Sequence, residues 1–588
     1  MSRRRTRRTA PAAAEPARQP PVAAAPPAAA PAATAQAPDG LFALARRTGV
    51  QALAAALLLG FFAANAVVVA RSDTPTPDEF VYVPAGLYHL QTGDLSFDST
   101  NPPLLKMLMA LPLATMDLKI DRDPRSRDNR TGWGPWIFGT SFMNLNRERY
   151  LDAYFAARLV VVAIAVGLGV LLFLRARELM SAPAALAVLA LYSTMSPVVA
   201  HSALATLDVG VSALIFAALL AAARFAGTRA WGWAAATGAL FGLAFAVKGT
   251  AALMAPLVPV LVAAGWKDWR QESAMRFVGG GAAMAVAAWL AILAAYGFQD
   301  FPLPAPLVEG VRFQLAASSA GEFPAFLGGS WSQTGWWYYY LYALMLKTPL
   351  PSLLLMVAGV AALVRSRRAT GMDDLWILLP SLLLLYVLSF HYAKDYGVRY
   401  LLPAFPFLLL LAGRGVDLLL AAGRRGRIAV AVLLLWQAAS FAMAAPHHLA
   451  WFNELAGGGD RARRLLLDSN LDWGQDLGRL KDYLDARGNP RIGLGYFGHV
   501  DPAVYGIAYD LAPTTPTAGL FAISANFLGG YPYAITYGDR MRPVKAGMWT
   551  WLDRLEPAAR IGRSIYVFDV SEADVARLGA APRPGGRP

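Results

Sequence analysis

Apolar residues in this chain come in long unbroken runs, with polar residues confined to the gaps between them. Runs near 49–70, 151–174, 182–200, 207–224, 232–247, 250–266, 277–298, 349–364, 375–391, 400–417 and 427–445 approach the roughly 20 residues that cross a bilayer as a helix. The pattern predicts a polytopic α-helical membrane protein with about eleven transmembrane helices, since a helix satisfies its own backbone polar groups inside lipid. Its weakest places are the two short spans that flank Lys248 and the aromatic run Trp336-Trp337-Tyr338-Tyr339-Tyr340-Leu341-Tyr342, which suits a membrane interface better than a lipid core.

Polar positions set the phase of these spans. Arg175 and Arg177, then Arg224 and Arg229, then Lys267, Arg270 and Arg276, then Arg365, Arg367 and Arg368, then Arg424, Arg425 and Arg427 fall in alternate loops. All lie on the side of the N-terminal cluster Arg3, Arg4, Arg5, Arg7 and Arg8, and cationic loops stay in the cytoplasm. The reading is a multi-pass protein of the inner (cytoplasmic) membrane, with its N-terminus cytoplasmic and residues 446–588 extracytoplasmic. Residues 1–48, Arg-rich and then Ala/Pro-rich, read as a disordered cytoplasmic tail that can build no core. The apolar run that follows starts too late and is too long for a cleavable signal. Residues 49–445 form the membrane domain. Beyond 446 the pattern changes: 492–497, 519–524 and 564–569 read as strands and 471–484 as a helix, which predicts a small C-terminal α/β domain over the membrane part.

Composition narrows the chemistry. Of 588 residues 56% are hydrophobic and none is Cys, which removes disulfides and thiolate nucleophiles. The net charge of +14 resides largely in short loops between spans, a signature of topology rather than of nucleic-acid binding. Ionisable groups also gather on the outer side. The first loop carries the adjacent pair Asp78-Glu79, then Tyr82, His89, Asp98, the step Pro102-Pro103 and Lys106; later outer positions are Asp208, Lys248, Lys347 and Arg399. Arg158 alone is plainly inside a span. A carboxylate can take the proton of a hydroxyl, and clustered cations can hold a phosphate as it departs. Those needs fit transfer of a sugar from a lipid phosphate to a hydroxyl, although a lipid-phosphate hydrolase uses similar groups. A membrane carrier or flippase is the alternative; it would place ionisable residues opposite each other at mid-membrane.

Each of these residues has a second, purely structural reading. Asp78 and Glu79 suit a helix N-terminus, and Asp208 suits the start of a span. Arg158 can snorkel outward, and Lys248, Lys347 and Lys394 can anchor at the interface. His89, His201 and His391 are scattered rather than spaced as metal ligands. The segment Asp468-Ser469-Asn470-Leu471-Asp472-Trp473-Gly474-Gln475-Asp476 resembles a calcium loop but has Trp473 where Gly is needed and Arg479 where the closing Glu belongs. It reads instead as the start of a helix, with Trp473 as a glycan or acceptor contact as the other option.

Five motifs in order carry a family resemblance. They are Asp78-Glu79 after the first span, Phe97-Asp98 with Pro102-Pro103-Leu104-Leu105-Lys106, Ala157-Arg158-Leu159, Thr206-Leu207-Asp208 and Val398-Arg399-Tyr400-Leu401-Leu402-Pro403. Over residues 49–445 the chain resembles the C-type glycosyltransferases, the superfamily of the protein O-mannosyltransferases and aminoarabinose transferases. The resemblance implies an inverting transferase that moves a sugar from a polyprenyl monophosphate donor to a glycan, lipid or protein hydroxyl at the bilayer surface. It implies Asp78 as base with Glu79 and Asp208 in the catalytic set, and Lys106, Arg158, Lys248 and Arg399 as donor-phosphate ligands. Tyr82, His89 and Asn101 are candidate contacts to sugar or acceptor. There are departures: Asn101 stands where the mannosyltransferases have His, and Thr100-Asn101 stand where the aminoarabinose transferases have Glu-Lys, which removes one metal ligand. No cofactor or metal is assigned.

Overall fold

Every one of the eleven apolar runs is helical in the computed structural model, which describes residues 48–121, 134–266, 271–320, 324–365, 372–391, 395–537 and 540–580. The expected tail lies outside the described residues, apart from position 48, as do Lys267, Arg270, Arg367, Arg368 and Lys394. Among the described residues seven helices are long and apolar enough to cross a membrane: Thr48–Ser72, Tyr150–Leu179, Asp208–Thr228, Ser273–Ala295, Asp373–Phe390, Val398–Ala421 and Arg424–Ala444. Two bent pairs raise the count to nine if each is one span, Ala182–Ser193 with Ser196–Ser202 at 58° and Tyr339–Lys347 with Leu350–Arg365 at 116°. The remaining two expected spans are the shorter pieces Trp231–Val247 and Gly249–Gly265. The aromatic run is thus the first arm of a bent pair, which breaks at Thr348-Pro349, where the proline ring disfavours helix in the residue before it.

The outward faces of these helices are apolar. Leu57, Val278, Val357 and Leu435 are each at least 65% exposed, an arrangement that water penalises and lipid does not. Close helix approach relies on small residues. Gly238 and Gly242, four apart on Trp231–Val247, sit against Met284 and Ala288 of the following long helix. A Cβ at either glycine would come within 2.0 and 2.3 Å of the carbonyl oxygens of those residues.

The described residues from 48 onward make one compact unit. Beyond the last span the chain forms a five-stranded mixed sheet in the order Tyr509–Leu511, Ile492–Gly495, Gly519–Ser524, Ile565–Val570, Ala559–Ile561. The first two pairings are parallel and the last two antiparallel. The three runs read as strands are strands, but the helix expected from 471 begins only at Leu477, because Gly474 takes φ +76° and the chain turns there. This region joins the membrane helices by hydrogen bonds: Thr74 N donates to Gln475 O at 2.9 Å, Thr74 Oγ1 donates to the Tyr505 hydroxyl at 3.0 Å, and Arg479 pairs with Asp73 at 2.7 Å.

Gly238→Ala and Gly242→Ala are expected to lower stability by about 1–3 kcal/mol each, since the extra methyl meets backbone that cannot step aside. Gly60→Ala, with nothing within 4 Å of its Cβ position, is the control and should be neutral or better. Thermal unfolding of the purified variants in detergent checks this; equal melting temperatures for all three would refute the close-packing account.

Candidate active site

The first outer loop folds into the helix Pro77–Thr92, and its first turn sets the geometry of the acidic pair. Thr76 is the N-cap, Pro77 occupies the first turn, and Glu79 turns back to complete a capping box. Glu79 Oε2 accepts from Thr76 N at 2.9 Å and from Thr76 Oγ1 at 3.0 Å. The same carboxylate, fully buried, receives Arg158 through Nε and Nη2, both at 2.7 Å, and the Ala205 N–H at 2.7 Å. Arg158 gives its other donors to the carbonyls of Ala70, Asp73 and Thr74. All five guanidinium N–H groups are therefore used within the protein. With Glu79 turned inward, the adjacent Asp78 points elsewhere, and its side chain stays 25% exposed.

Asp78 meets the second group. Its Oδ2 lies 2.5 Å from Arg399 Nη1, in the turn that opens the span Val398–Ala421. Arg399 Nη1 is also 3.9 Å from Asp208 Oδ2, while Asp208 Oδ1 accepts from Lys248 Nζ at 2.5 Å. The sequence places these residues at helix ends: Asp208 opens one span and Lys248 follows the last residue of Trp231–Val247. Two carboxylates thus face two cations, and aromatic rings line the cations. Lys248 Nζ lies 4.5 Å from the Tyr400 ring centroid and the Arg399 guanidinium 4.4 Å from that of Trp473. Arg399 Nη2 donates to no protein atom among the described residues, and the buried Asp208 Oδ2 accepts no hydrogen bond. A narrow cleft runs beside them, lined by Asp208, Lys248, Arg399 and Tyr400 with Leu384 and Leu388. Such a site can hold an anion against Arg399 and Lys248 while a carboxylate waits alongside.

The other expected site residues are held elsewhere. Lys106 is fully buried and gives Nζ to Asp98 O at 2.8 Å and to Asp98 Oδ2 at 2.9 Å, so its charge is answered within the loop. His89 packs in the same loop with Nδ1 2.8 Å from Asp94 O; burial pushes its pKa down to about 3 and keeps the ring neutral. Asn101 donates to the Tyr82 hydroxyl at 3.1 Å. Tyr82 is raised well above its ordinary value by burial and then by the negative charges of Asp78 and Asp98, so it stays a protonated donor. Among the described residues no three His, Asp or Glu side chains converge as a metal site requires.

Two features carry more of the site than the sequence reading assigned to them. Lys347, read as an interfacial anchor, is buried and donates to the carbonyls of Leu449 at 2.8 Å, Trp451 at 2.5 Å and Asn470 at 2.5 Å. The calcium-like loop brings Trp473 against Arg399, buried rather than presented to a glycan. Asp468 of that loop lies close enough to Arg399 and Asp78 to feel both charges, and burial lifts it to about 6. The only forewarning was the density of Asp, Asn and Trp in nine residues; nothing local says which distant turn they meet.

Residues 142–292, which include Arg158, Asp208 and Lys248, match the family model for dolichyl-phosphate-mannose-protein mannosyltransferase. No curated protein matches the chain. Among solved structures the chain is similar to ArnT from Cupriavidus metallidurans in the apo state, at 15% identity and a TM-score of 0.45, over 91% of this chain and 99% of that one. The same protein bound to undecaprenyl phosphate matches at 15% identity and 0.45, over 91% and 100%. The Archaeoglobus fulgidus oligosaccharyltransferase in the apo form matches at 12% identity and 0.43, over 84% and 74%.

Asp395 supplies a pH test of this region. Its carboxyl accepts the Trp336 N–H at 2.8 Å, and burial raises its pKa from 3.8 to about 7. Below the unfolded value the carboxyl is protonated in both states. Between 3.8 and about 7 the unfolded chain gives up the proton and the folded chain does not, so stability falls as pH rises. Above that window the penalty is constant. Asp395→Asn should therefore be increasingly more stable than the parent from pH 4 to pH 7, read as the difference in melting temperature across pH; a difference independent of pH would refute it.

Proposed function

We propose that the protein is an inverting glycosyltransferase that moves a sugar from a polyprenyl monophosphate donor to a hydroxyl acceptor on the extracytoplasmic face of the inner membrane. The observation that carries this reading is the partly exposed Asp78 paired with Arg399, beside Lys248 and Asp208, at the ends of membrane helices. Arg399 and Lys248 bind the donor phosphate and hold its charge as it leaves. Asp208 orients Lys248. Asp78 takes the proton from the acceptor hydroxyl as that oxygen forms its bond to the anomeric carbon and the bond from that carbon to the phosphate oxygen breaks. The products are the glycosylated acceptor, a protonated Asp78 and polyprenyl phosphate. Glu79 and Arg158, with every hydrogen-bonding group engaged, hold the helix that presents Asp78; Lys106 holds the loop through Asp98. Tyr82 and Asn101, linked to each other beside the acidic cluster, are offered as contacts to the sugar or acceptor.

The charges gather at helix ends, which supports an enzyme at the bilayer surface over the carrier reading. The part of the chain from 446 onward is read as an extracytoplasmic domain roofing the site.

Asp78→Asn is expected to lower turnover ~10²–10⁴-fold while retaining donor binding. Arg399→Ala and Lys248→Ala should each weaken polyprenyl-phosphate binding by about 1.5–3 kcal/mol, the range for a hydrogen bond to a charged group. Turnover and equilibrium binding measured on purified enzyme decide it: parental turnover in Asp78→Asn removes the base, and unchanged affinity in both cation variants removes the phosphate site.

Topology is checked separately. Reporters fused after residue 446 and within the loop after Ala70 should both report the extracytoplasmic side, and a cytoplasmic signal from either would split the site across two faces.

A further inference from the structure

Arg399 stands at the start of a membrane helix on a turn that Gly397 enters with φ +101°. A long guanidinium side chain has many free rotamers and is costly to order; within the turn Arg399 Nε reaches Tyr396 O at 3.4 Å, and across the site Nη1 meets Asp78 at 2.5 Å. The loop 467–476, far along the chain, adds the remaining support. Asn470 Oδ1 accepts the Val398 N–H at 3.0 Å, and Asn470 Nδ2 donates to the Tyr339 hydroxyl at 2.9 Å and to Leu467 O at 3.1 Å. Ser469 Oγ donates to Tyr396 O at 2.5 Å. A Cβ at position 397 would stand 2.5 Å from Ser469 Oγ, so the two turns touch backbone to side chain. Lys347 anchors the same loop from beneath through Asn470 O. Trp473 then lies against the guanidinium at 4.4 Å, with His201 edge-on to the indole at 6.2 Å. Its own backbone N–H is tied to Gln475 Oε1 at 2.7 Å.

We infer that Trp473 and Asn470 are positioning residues for Arg399: the indole face holds the guanidinium, and Asn470 holds the turn it grows from, so that Arg399 meets a ligand phosphate without reorienting. This rests on the reading that Arg399 binds the donor phosphate. An aromatic face attracts a cation by its electron density, and Arg stacked on a ring keeps its in-plane N–H donors free for an anion. A residue that merely filled space at 473 would supply bulk without that electron density.

The test is equilibrium binding of a polyprenyl monophosphate to the full-length purified protein, with the corresponding polyprenol as a control lacking phosphate. Trp473→Leu should weaken phosphate-lipid binding about tenfold, the fold-change that a desolvated cation–π contact corresponds to, and leave polyprenol binding unchanged. Trp473→Phe should keep most of the affinity. In an Arg399→Ala background Trp473→Leu should add no further loss, since the two act as one unit. Asn470→Ala should lower phosphate-lipid affinity and Asn470→Asp, which keeps the acceptor for Val398 N–H, should restore part of it. Should Trp473→Leu fail to fold, fluorotryptophans placed at position 473 keep the shape while draining the ring of electron density, and affinity should fall with each added fluorine. Equal losses for Leu and Phe, an additive double variant, or affinity indifferent to fluorination would overturn the inference. If Arg399→Ala itself leaves phosphate-lipid binding unchanged, it is the donor-phosphate reading that falls, whatever position 473 does.

Discussion

Arg158 commits all five of its N–H donors inside the protein, two to Glu79 and three to the carbonyls of Ala70, Asp73 and Thr74. Through that one side chain the second long span holds the end of the first, the turn after it and the first turn of the loop helix. Ala205 joins by donating to the same carboxylate, which ties in the turn just before Asp208. Removing one partner of a buried pair strands the other, a loss of about 3–5 kcal/mol. The clamp has a directional effect as well. Because Glu79 must face inward to complete it, Asp78 one residue earlier is turned toward Arg399.

A second constraint acts from above. The region after the last span is bound to the membrane helices by Arg479 on Asp73, by Thr74 with Gln475 and Tyr505, and by Lys347 on three carbonyls. A buried ammonium without a carboxylate is tolerable only when oxygen dipoles replace its water, which is what the carbonyls of Leu449, Trp451 and Asn470 do. The mixed sheet is thus a scaffold for a roof, and the roof reaches the site through the loop that carries Asn470 and Trp473.

The spans and strands were legible because lipid and core burial write themselves into runs and alternations that need no partner to be read. Asp78, Asp208, Lys248 and Arg399 were among the candidates, the first two and the last marked by short-range motifs and Lys248 only by its place between two short apolar runs. The tasks of the others could not be told apart by sequence. Lys106 and Arg158 look like free cations until Asp98, 8 positions away, and Glu79, 79 positions away, are seen to neutralise them. Lys347 finds its carbonyls more than 100 positions later. The helix start misplaced at 471 shows the same limit at short range: an Asp-rich stretch fits a helix cap, and only the positive φ of Gly474 reveals the turn.

The contact between Asp78 and Arg399 has one more consequence, for the order of events. Arg399 Nη1 lies 2.5 Å from Asp78 Oδ2, so that donor and that carboxylate oxygen are each other's partner. On the proposed reading an arriving lipid anion competes for Arg399, and as it wins the carboxylate is released to accept a proton. On that same reading the ion pair would be an interlock, linking readiness for chemistry to occupancy by the donor.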